Sequence, residues 1–204
     1  MKWTFFLTLS LAWVSSLLLP VLGQSNIYLE AGAIASTFYS ASPEYQPPGT
    51  EQGLFQPVVG FRAGVALEHD FEGVFGLKTG ASYSFKGAEV PEGFRWSLGY
   101  LCFPVLAVWR PVPALKVGLG LEFSSLLTNN AALPPTNSVA LGARTELMWQ
   151  ISPQFRLLLH STLDVTNSEK VTYTDDQGNP IATNVYRHLT GGLSLAYRLH
   201  RFRD

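Results

Sequence analysis

The sequence predicts an all-β fold, an eight-stranded antiparallel up-and-down transmembrane β-barrel, from three observations. Several stretches alternate strictly between apolar and polar residues, which is the pattern of a strand with one apolar and one polar face. The connections between these stretches are alternately long and short. A segment typical of an export signal precedes the whole array. Together these features predict an even-stranded barrel with both termini on one side of an outer membrane.

The eight predicted strands differ in how regularly they alternate. The first is the least regular, and the sequence leaves open which of its faces is polar. The second and third alternate cleanly, whereas the fourth is apolar on both faces. The fifth and sixth set leucine, valine and aromatic residues against glycine and charged residues, and the seventh and eighth set leucines against polar residues. In chain order they cover residues 27–39, 61–68, 74–86, 94–110, 115–124, 139–150, 156–164 and 188–199.

The connections carry independent information about the two ends of the sheet. Three are short and rich in turn-forming residues, at 70–73, 110–113 and 152–154. Four are longer and polar, at 40–56, 87–93, 128–137 and 167–184. A membrane barrel has short turns on the inner side and longer loops outside, whereas a soluble meander has no physical reason to sort its loops by end.

Composition and charge exclude several classes of protein. Of the 204 residues 47% are hydrophobic and only 14% are charged, whereas an average soluble domain has about 25% charged residues. The near-neutral net charge of −1 and the lack of a basic tract argue against a nucleic-acid partner. The single cysteine, Cys102, excludes an intramolecular disulfide and a cysteine-based metal cluster.

The N-terminus predicts export. Lys2 is followed by an apolar run over residues 5–19, and small or tolerated residues precede a cleavage site before Gln24. Residues 1–23 are therefore expected to be a cleaved signal peptide, and 24–204 the barrel domain. An uncleaved N-terminal membrane anchor is the alternative. The expected location is the outer membrane of the cell.

The polar face of the predicted strands carries charges of both signs. In a membrane barrel this face lines the interior, and eight strands leave an interior just wide enough for side chains to fill. Opposite charges should pair there, because an isolated ion would be costly. We therefore expect a plugged, ion-paired lumen, and the candidate charges are Arg62, Glu68, Lys78, Lys86, Lys116, Glu122, Arg144, Glu146, Arg156, Asp164 and Arg198.

Aromatic residues lie toward the strand ends or on the apolar face. Such side chains favour the interface between membrane and water, so they are candidates for the two aromatic girdles of a barrel. Ordinary packing residues of a soluble sheet sandwich are the alternative interpretation. The candidates are Tyr83, Phe85, Trp96, Trp109, Phe123, Trp149 and Tyr197.

Three stretches resemble a known family. Residues 100–106, Tyr-Leu-Cys-Phe-Pro-Val-Leu, resemble the fourth strand of PorT-type outer-membrane β-barrel proteins, with Cys102 where that family usually has glutamate. Residues 116–127 resemble the following strand, and residues 191–199 with Phe202 resemble the last strand, which ends in an aromatic insertion signal. The resemblance implies an eight-stranded outer-membrane barrel, in a family whose members have diverse roles.

The sequence predicts no catalytic, cofactor-binding or metal-binding residues, and no enzyme. His160 and Ser161 are adjacent in a strand and therefore point to opposite faces. His188 shares a face with Thr190, but threonine is a poor replacement for an activated serine. His160 and Asp164 also share a face, as a general base and an orienting carboxylate would. A polar barrel interior explains all of these residues without catalysis.

The predicted role is therefore structural or interaction-based: anchoring the envelope, displaying loops, or assisting an envelope complex. Tyr45, Phe55 and Tyr173 in the long loops are candidate contacts for an envelope protein or a glycan. The other expected partners are outer-membrane lipid and the barrel-insertion machinery, and the barrel is expected to be a monomer. Three alternatives stay open: a soluble, exported, lipocalin-like ligand-binding barrel, a narrow-pore transporter and a lipid-modifying barrel enzyme.

Overall fold

The computed structural model describes residues 23–42, 55–71, 73–89, 95–129, 138–166, 169–174, 177 and 179–203. Every regular element in these ranges is a β-strand. None of the residues described belongs to a helix that could cross a membrane. The strands are β1 (Gly23–Ser42), β2 (Gln56–Phe71), β3 (Phe75–Glu89), β4 (Arg95–Val112), β5 (Leu115–Asn129), β6 (Val139–Gln150), β7 (Phe155–Asp164), β8 (Glu169–Thr174) and β9 (Pro180–Arg203).

Eight of these strands form a closed barrel. Each of β1 to β7 pairs antiparallel with the next barrel strand, β7 pairs with β9, and β9 pairs back onto β1. Closure leaves the barrel without a free sheet edge. The predicted fold class, an eight-stranded antiparallel up-and-down barrel, is therefore confirmed.

The register around the ring fixes the tilt of the strands. One circuit of paired residues that leaves β1 at Asn26 returns to β1 at Ser36, ten positions further along. The partners on the way are Glu68, Lys78, Leu106, Gly120, Arg144, Thr162 and Thr190. That stagger over strands spaced about 4.8 Å apart gives a tilt of roughly 40°, within the ~35–45° of transmembrane barrels.

One predicted loop is largely a hairpin. The fourth long connection, 167–184, contains β8 and the first residues of β9, which pair with each other beyond the barrel ring. Thr172 and Thr183 face each other there, with their hydroxyl oxygens 3.2 Å apart. This hairpin lies outside the closed ring and has no core to cover, so its strands lack the apolar alternation by which the others were recognised.

The two faces of the barrel wall have opposite chemistry. Large apolar side chains are exposed around the outside, among them Leu29, Leu119 and Leu193, while charged side chains fill the inside. The structure also settles the face of strand one, where Tyr28 and Ile34 point inward and Leu29 points outward. Apolar-out and polar-in is the arrangement of a membrane barrel and the reverse of a soluble one. It contradicts the lipocalin-like alternative, which requires an apolar interior.

Aromatic residues on the outer face mark both ends of the apolar band. At the short-turn end, Phe75 pairs with Trp109 and both are exposed. Toward the other end, Phe61 stacks on Phe85 with ring centroids 6.0 Å apart. Phe75 and Phe85 lie on the same strand, and ten residues at ~3.3 Å rise and ~40° tilt span about 25 Å along the axis, the height expected of the apolar band. The side chain of Trp96, another predicted girdle residue, lies outside the described part of the chain.

Candidate functional site

The centre of the lumen is occupied by ion pairs around Glu122. Its carboxylate accepts hydrogen bonds from Arg62 Nη1 and Arg144 Nη1, each at 2.7 Å, and lies 3.4 Å from Lys86 Nζ. All four side chains are buried. Because they come from four different strands, the carboxylate ties the walls of the barrel together across the lumen.

The same network continues through Arg144 to the opposite wall. Arg144 Nη2 donates to Glu146 Oε2 at 2.8 Å, and Lys78 bonds both Glu146 and Glu30, the latter at 2.6 Å. We call the seven residues of this network the central cluster: Glu30, Arg62, Lys78, Lys86, Glu122, Arg144 and Glu146. Each of its four cations contacts at least one of its three carboxylates, so ion pairing offsets most of the cost of burying these charges.

A second, smaller group of ion pairs lies near the short turns. Glu68 accepts hydrogen bonds from Lys116 Nζ at 2.6 Å and from Arg156 Nη1 at 2.8 Å, and Lys116 also bonds Asp70 at 2.5 Å. The Arg156 guanidinium lies 4.4 Å from the ring centroid of Tyr28. We call Glu68, Asp70, Lys116 and Arg156 the lower cluster; its two cations and two carboxylates balance.

Apolar side chains separate the two clusters over part of the lumen. Tyr28, Ala66, Val108, Met148, Leu158 and Ala196 form one buried group. They lie on six different strands at positions registered between the two clusters. This layer adds an apolar barrier to the side chains that already fill the barrel.

Aromatic residues close the end of the lumen near the long loops. Phe38, Leu98, Tyr100 and Tyr186 form a buried group, and Phe55 packs on it with its ring centroid 5.4 Å from that of Phe38 and 5.1 Å from that of Tyr186. The same group includes Ala88 and Cys102. It forms a plug on the long-loop side of the central cluster.

The predicted loop contacts have different outcomes. Phe55 is half-buried against the aromatic plug, so its ring is directed into the mouth and does not project as an outward contact. Tyr45 lies outside the described residues. The backbone of Tyr173 belongs to β8, but its side chain is not described.

A strip of polar side chains on β7 and β9 has no direct partners. His160, Thr162, Thr190 and Ser194 are buried, and their side-chain nitrogens or hydroxyl oxygens make no hydrogen bond within the described structure. Buried polar groups normally bond to protein or to ordered water, so this strip is suited to internal water. Both ring nitrogens of His160 are unpartnered, so Asp164 does not orient His160 as the general-base hypothesis requires.

The predicted lumen charges all belong to the inward faces of their strands. Nine of the eleven candidates named from the sequence are members of the central or lower cluster. Asp164 is buried near the aromatic plug, and Arg198 lines the opening at the short-turn end. Sequence reasoning missed Glu30 because strand one has small residues on both faces, and it missed Asp70 because it assigned that residue to a turn.

The described residues contain no group of three histidines, cysteines or carboxylates that could hold a metal ion.

No protein-family model matches the chain, and no curated protein matches it. Solved structures do match. The outer membrane protein OprG from Pseudomonas aeruginosa aligns with a TM-score of 0.51 at 9% identity, covering 90% of this chain and 99% of that one.

This is the fold of an outer-membrane β-barrel. Two further structures of that kind align less closely. Neisserial surface protein A covers 87% of this chain and 99% of its own at a TM-score of 0.49 and 12% identity. Ail of Yersinia pestis, solved with the heparin analogue sucrose octasulfate, covers 89% of this chain and 99% of its own at a TM-score of 0.47 and 14% identity. At these identities the likeness concerns the fold alone, and the PorT-type assignment stays a prediction.

Proposed function

We propose that the protein is an integral outer-membrane barrel with a closed lumen, and that its role is structural or interaction-based. The observation that carries this proposal is that an apolar outer wall encloses an interior that contains buried ion pairs. The resemblance to PorT-type barrels supports the outer-membrane barrel itself. In this proposal the N-terminal segment directs export and the barrel-insertion machinery delivers the chain to the membrane.

The lumen chemistry favours a plug over a pore. Glu122 is held by three cations from different strands, so a solute passing this level must displace a buried charge from its partners. Separating such a pair costs about 3–5 kcal/mol. The aromatic plug and the apolar layer add two more barriers on the same axis.

The long-loop end is the part suited to a partner. The hairpin of β8 and β9 extends the backbone beyond the barrel ring at this end. Tyr173 on β8 and Tyr45 are the proposed contacts there, and an envelope protein or a glycan is the proposed partner class.

Cell fractionation tests the location. We expect the mature protein to stay with the outer-membrane fraction without detergent, and the extracted protein to migrate differently on a gel before and after heating. Recovery of the protein in the soluble fraction would contradict the proposal.

A narrow-pore transporter is the second candidate, because the unpartnered polar strip of His160, Thr162, Thr190 and Ser194 could hold a file of water. Planar-bilayer recordings distinguish a closed barrel from a narrow-pore transporter. A closed barrel gives no steady single-channel current, whereas a reproducible unitary current that changes on Thr190→Leu favours transport.

We also propose that the barrel is not an enzyme. The most relevant substrate for a barrel in this membrane is the surrounding lipid. Mass spectrometry of lipid A from cells with and without the protein should give the same spectrum. A mass change that depends on expression and is lost in His160→Ala would overturn this part of the proposal.

A further inference from the structure

The opening of the barrel at the short-turn end contains a small polar cavity. Its volume is about 150 Å³, roughly five times the ~30 Å³ that one water occupies in the liquid. The cavity therefore has room for a phosphate group with one or two waters, and it is smaller than the ~300 Å³ or more of a pocket for a drug-sized molecule. The charged residues among those that line it are Asp70, Arg110, Lys116, Arg156, Arg198 and Arg201.

The charges around this cavity do not balance among the described residues. Lys116 and Arg156 are compensated by Glu68 and Asp70 in the lower cluster. Three arginines then remain without a carboxylate partner in the described part of the chain: Arg110, Arg198 and Arg201. Arg110 Nη2 donates to the backbone oxygen of Gly73 at 2.6 Å, and Arg201 donates to the amide oxygen of Gln24, so both bonds leave the positive charge uncompensated.

A β-bulge brings Arg201 to this opening. On β9, His200 pairs with Ile27 and Arg198 pairs with Tyr28, so Leu199 is an extra residue between them. Unbroken alternation would put Arg201 on the outer face with Leu199. After the bulge, Arg201 instead pairs with the buried Asn26 and lines the cavity together with Arg198. Bulges commonly re-aim a side chain in this way.

We propose that this cavity binds the phosphate group of an anionic ligand. Guanidinium groups present paired N–H donors that match phosphate oxygens, and such charge-assisted hydrogen bonds are stronger than neutral ones. Two ligands carry the required chemistry at this end of an outer-membrane barrel: a phospholipid headgroup of the inner leaflet, or a soluble phosphate or phosphate ester. Gln24 and Gln150 also line the cavity, and the side-chain oxygen of each accepts a hydrogen bond from an arginine, Arg201 and Arg156 respectively.

Titration with inorganic phosphate tests the site. The full barrel is refolded in an uncharged maltoside detergent, which contributes no phosphate, and binding is followed by calorimetry and phosphorus NMR. We expect one saturable site per barrel. Arg198→Gln and Arg201→Gln should each weaken binding by about tenfold or more, because each removes a charge-assisted contact.

Two controls keep the result interpretable. Arg187→Gln removes an arginine from the same strand at the opposite end of the barrel, and it should leave phosphate binding unchanged. Arg110→Gln removes the third arginine from a different strand, and it replaces the β9 variants if either fails to show heat-modifiable migration. Absence of saturable binding, or binding unchanged in all of the cavity variants, would overturn the proposal.

Vesicles distinguish the two sources of phosphate. The titration is repeated in phosphatidylcholine vesicles and in vesicles where phosphatidylglycerol replaces part of that lipid. If the anionic lipid weakens phosphate binding to the wild type, the cavity binds a lipid headgroup. If the anionic lipid has no effect while the arginine variants still lose binding, the natural ligand is soluble.

Discussion

The middle of the barrel and its short-turn end use the same residue types for different purposes. In the middle, arginine, lysine and glutamate are buried and directly paired, as in the three contacts of Glu122. At the short-turn end, Arg110, Arg198 and Arg201 surround an open cavity and have no carboxylate partner among the residues that the structure describes. Charges sealed from water must be paired, whereas charges that reach water can be left available for a ligand. Depth in the barrel therefore separates residues that hold the wall together from residues suited to binding.

The largest effect is expected from removing the central carboxylate. Glu122→Gln leaves Arg62 and Lys86 without the carboxylate that compensates them in the described structure, while Arg144 keeps only Glu146. We expect the free energy of unfolding to fall by about 3–5 kcal/mol. Urea unfolding in lipid vesicles, followed by tryptophan fluorescence, measures this change. A loss below about 1 kcal/mol would show that the central cluster is hydrated and that the contrast with the short-turn end is wrong.

Residues on the outer wall can also be compared between the middle of the barrel and its short-turn end. Leu193 is exposed on β9 in the middle of the apolar band, whereas Leu199 lies near the short-turn end of the same strand. Leu193→Lys should cost about 2–4 kcal/mol, and Leu199→Lys about 0–1 kcal/mol, because a charge is tolerated near the interface. The same unfolding experiment compares them. Equal costs would mean that this face does not meet lipid.

An intermediate effect is expected at the lower cluster. Glu68→Gln removes the carboxylate that Lys116 and Arg156 share, but Lys116 keeps its bond to Asp70. We expect a loss of about 1.5–3 kcal/mol, the range for a hydrogen bond to a charged group. If the free energy of unfolding falls as much as in Glu122→Gln, the lower cluster is shielded from water to the same extent as the central cluster.

The smallest change in stability is expected at the cavity itself. Arg198→Gln breaks no ion pair within the described structure, so the free energy of unfolding should change by less than about 0.5 kcal/mol. Phosphate should stabilise the wild type against urea, and more at low salt than at high salt because these charges are partly exposed. A large loss of stability without phosphate would assign Arg198 to the structural network.

The sequence predicted the architecture because lipid imposes a pattern on every strand. Apolar residues must face outward at each second position, and the order of loop lengths then indicates an even number of strands. The β8–β9 hairpin escaped this reasoning because no lipid or core selects its faces.

The lumen could be predicted only in part. The charged residues were visible from the sequence, but their partners were not, because the contacts cross the barrel between distant positions such as Arg62 and Glu122. Glu30 was hidden in a strand with small residues on both faces. Arg201 was hidden by the bulge at Leu199, which shifts the alternation by one residue. The alternation along each strand therefore identifies which residues face the lumen, and only the closed barrel shows which of them form ion pairs.

The reactivity of Cys102 tests most directly whether the lumen is closed. This single cysteine is fully buried and belongs to the group of residues that forms the aromatic plug. We predict that a charged, membrane-impermeant thiol reagent leaves Cys102 unmodified in the folded barrel in vesicles and modifies it fully after unfolding in urea. Rapid labelling of the folded wild-type barrel would show an open, water-filled lumen and contradict the account.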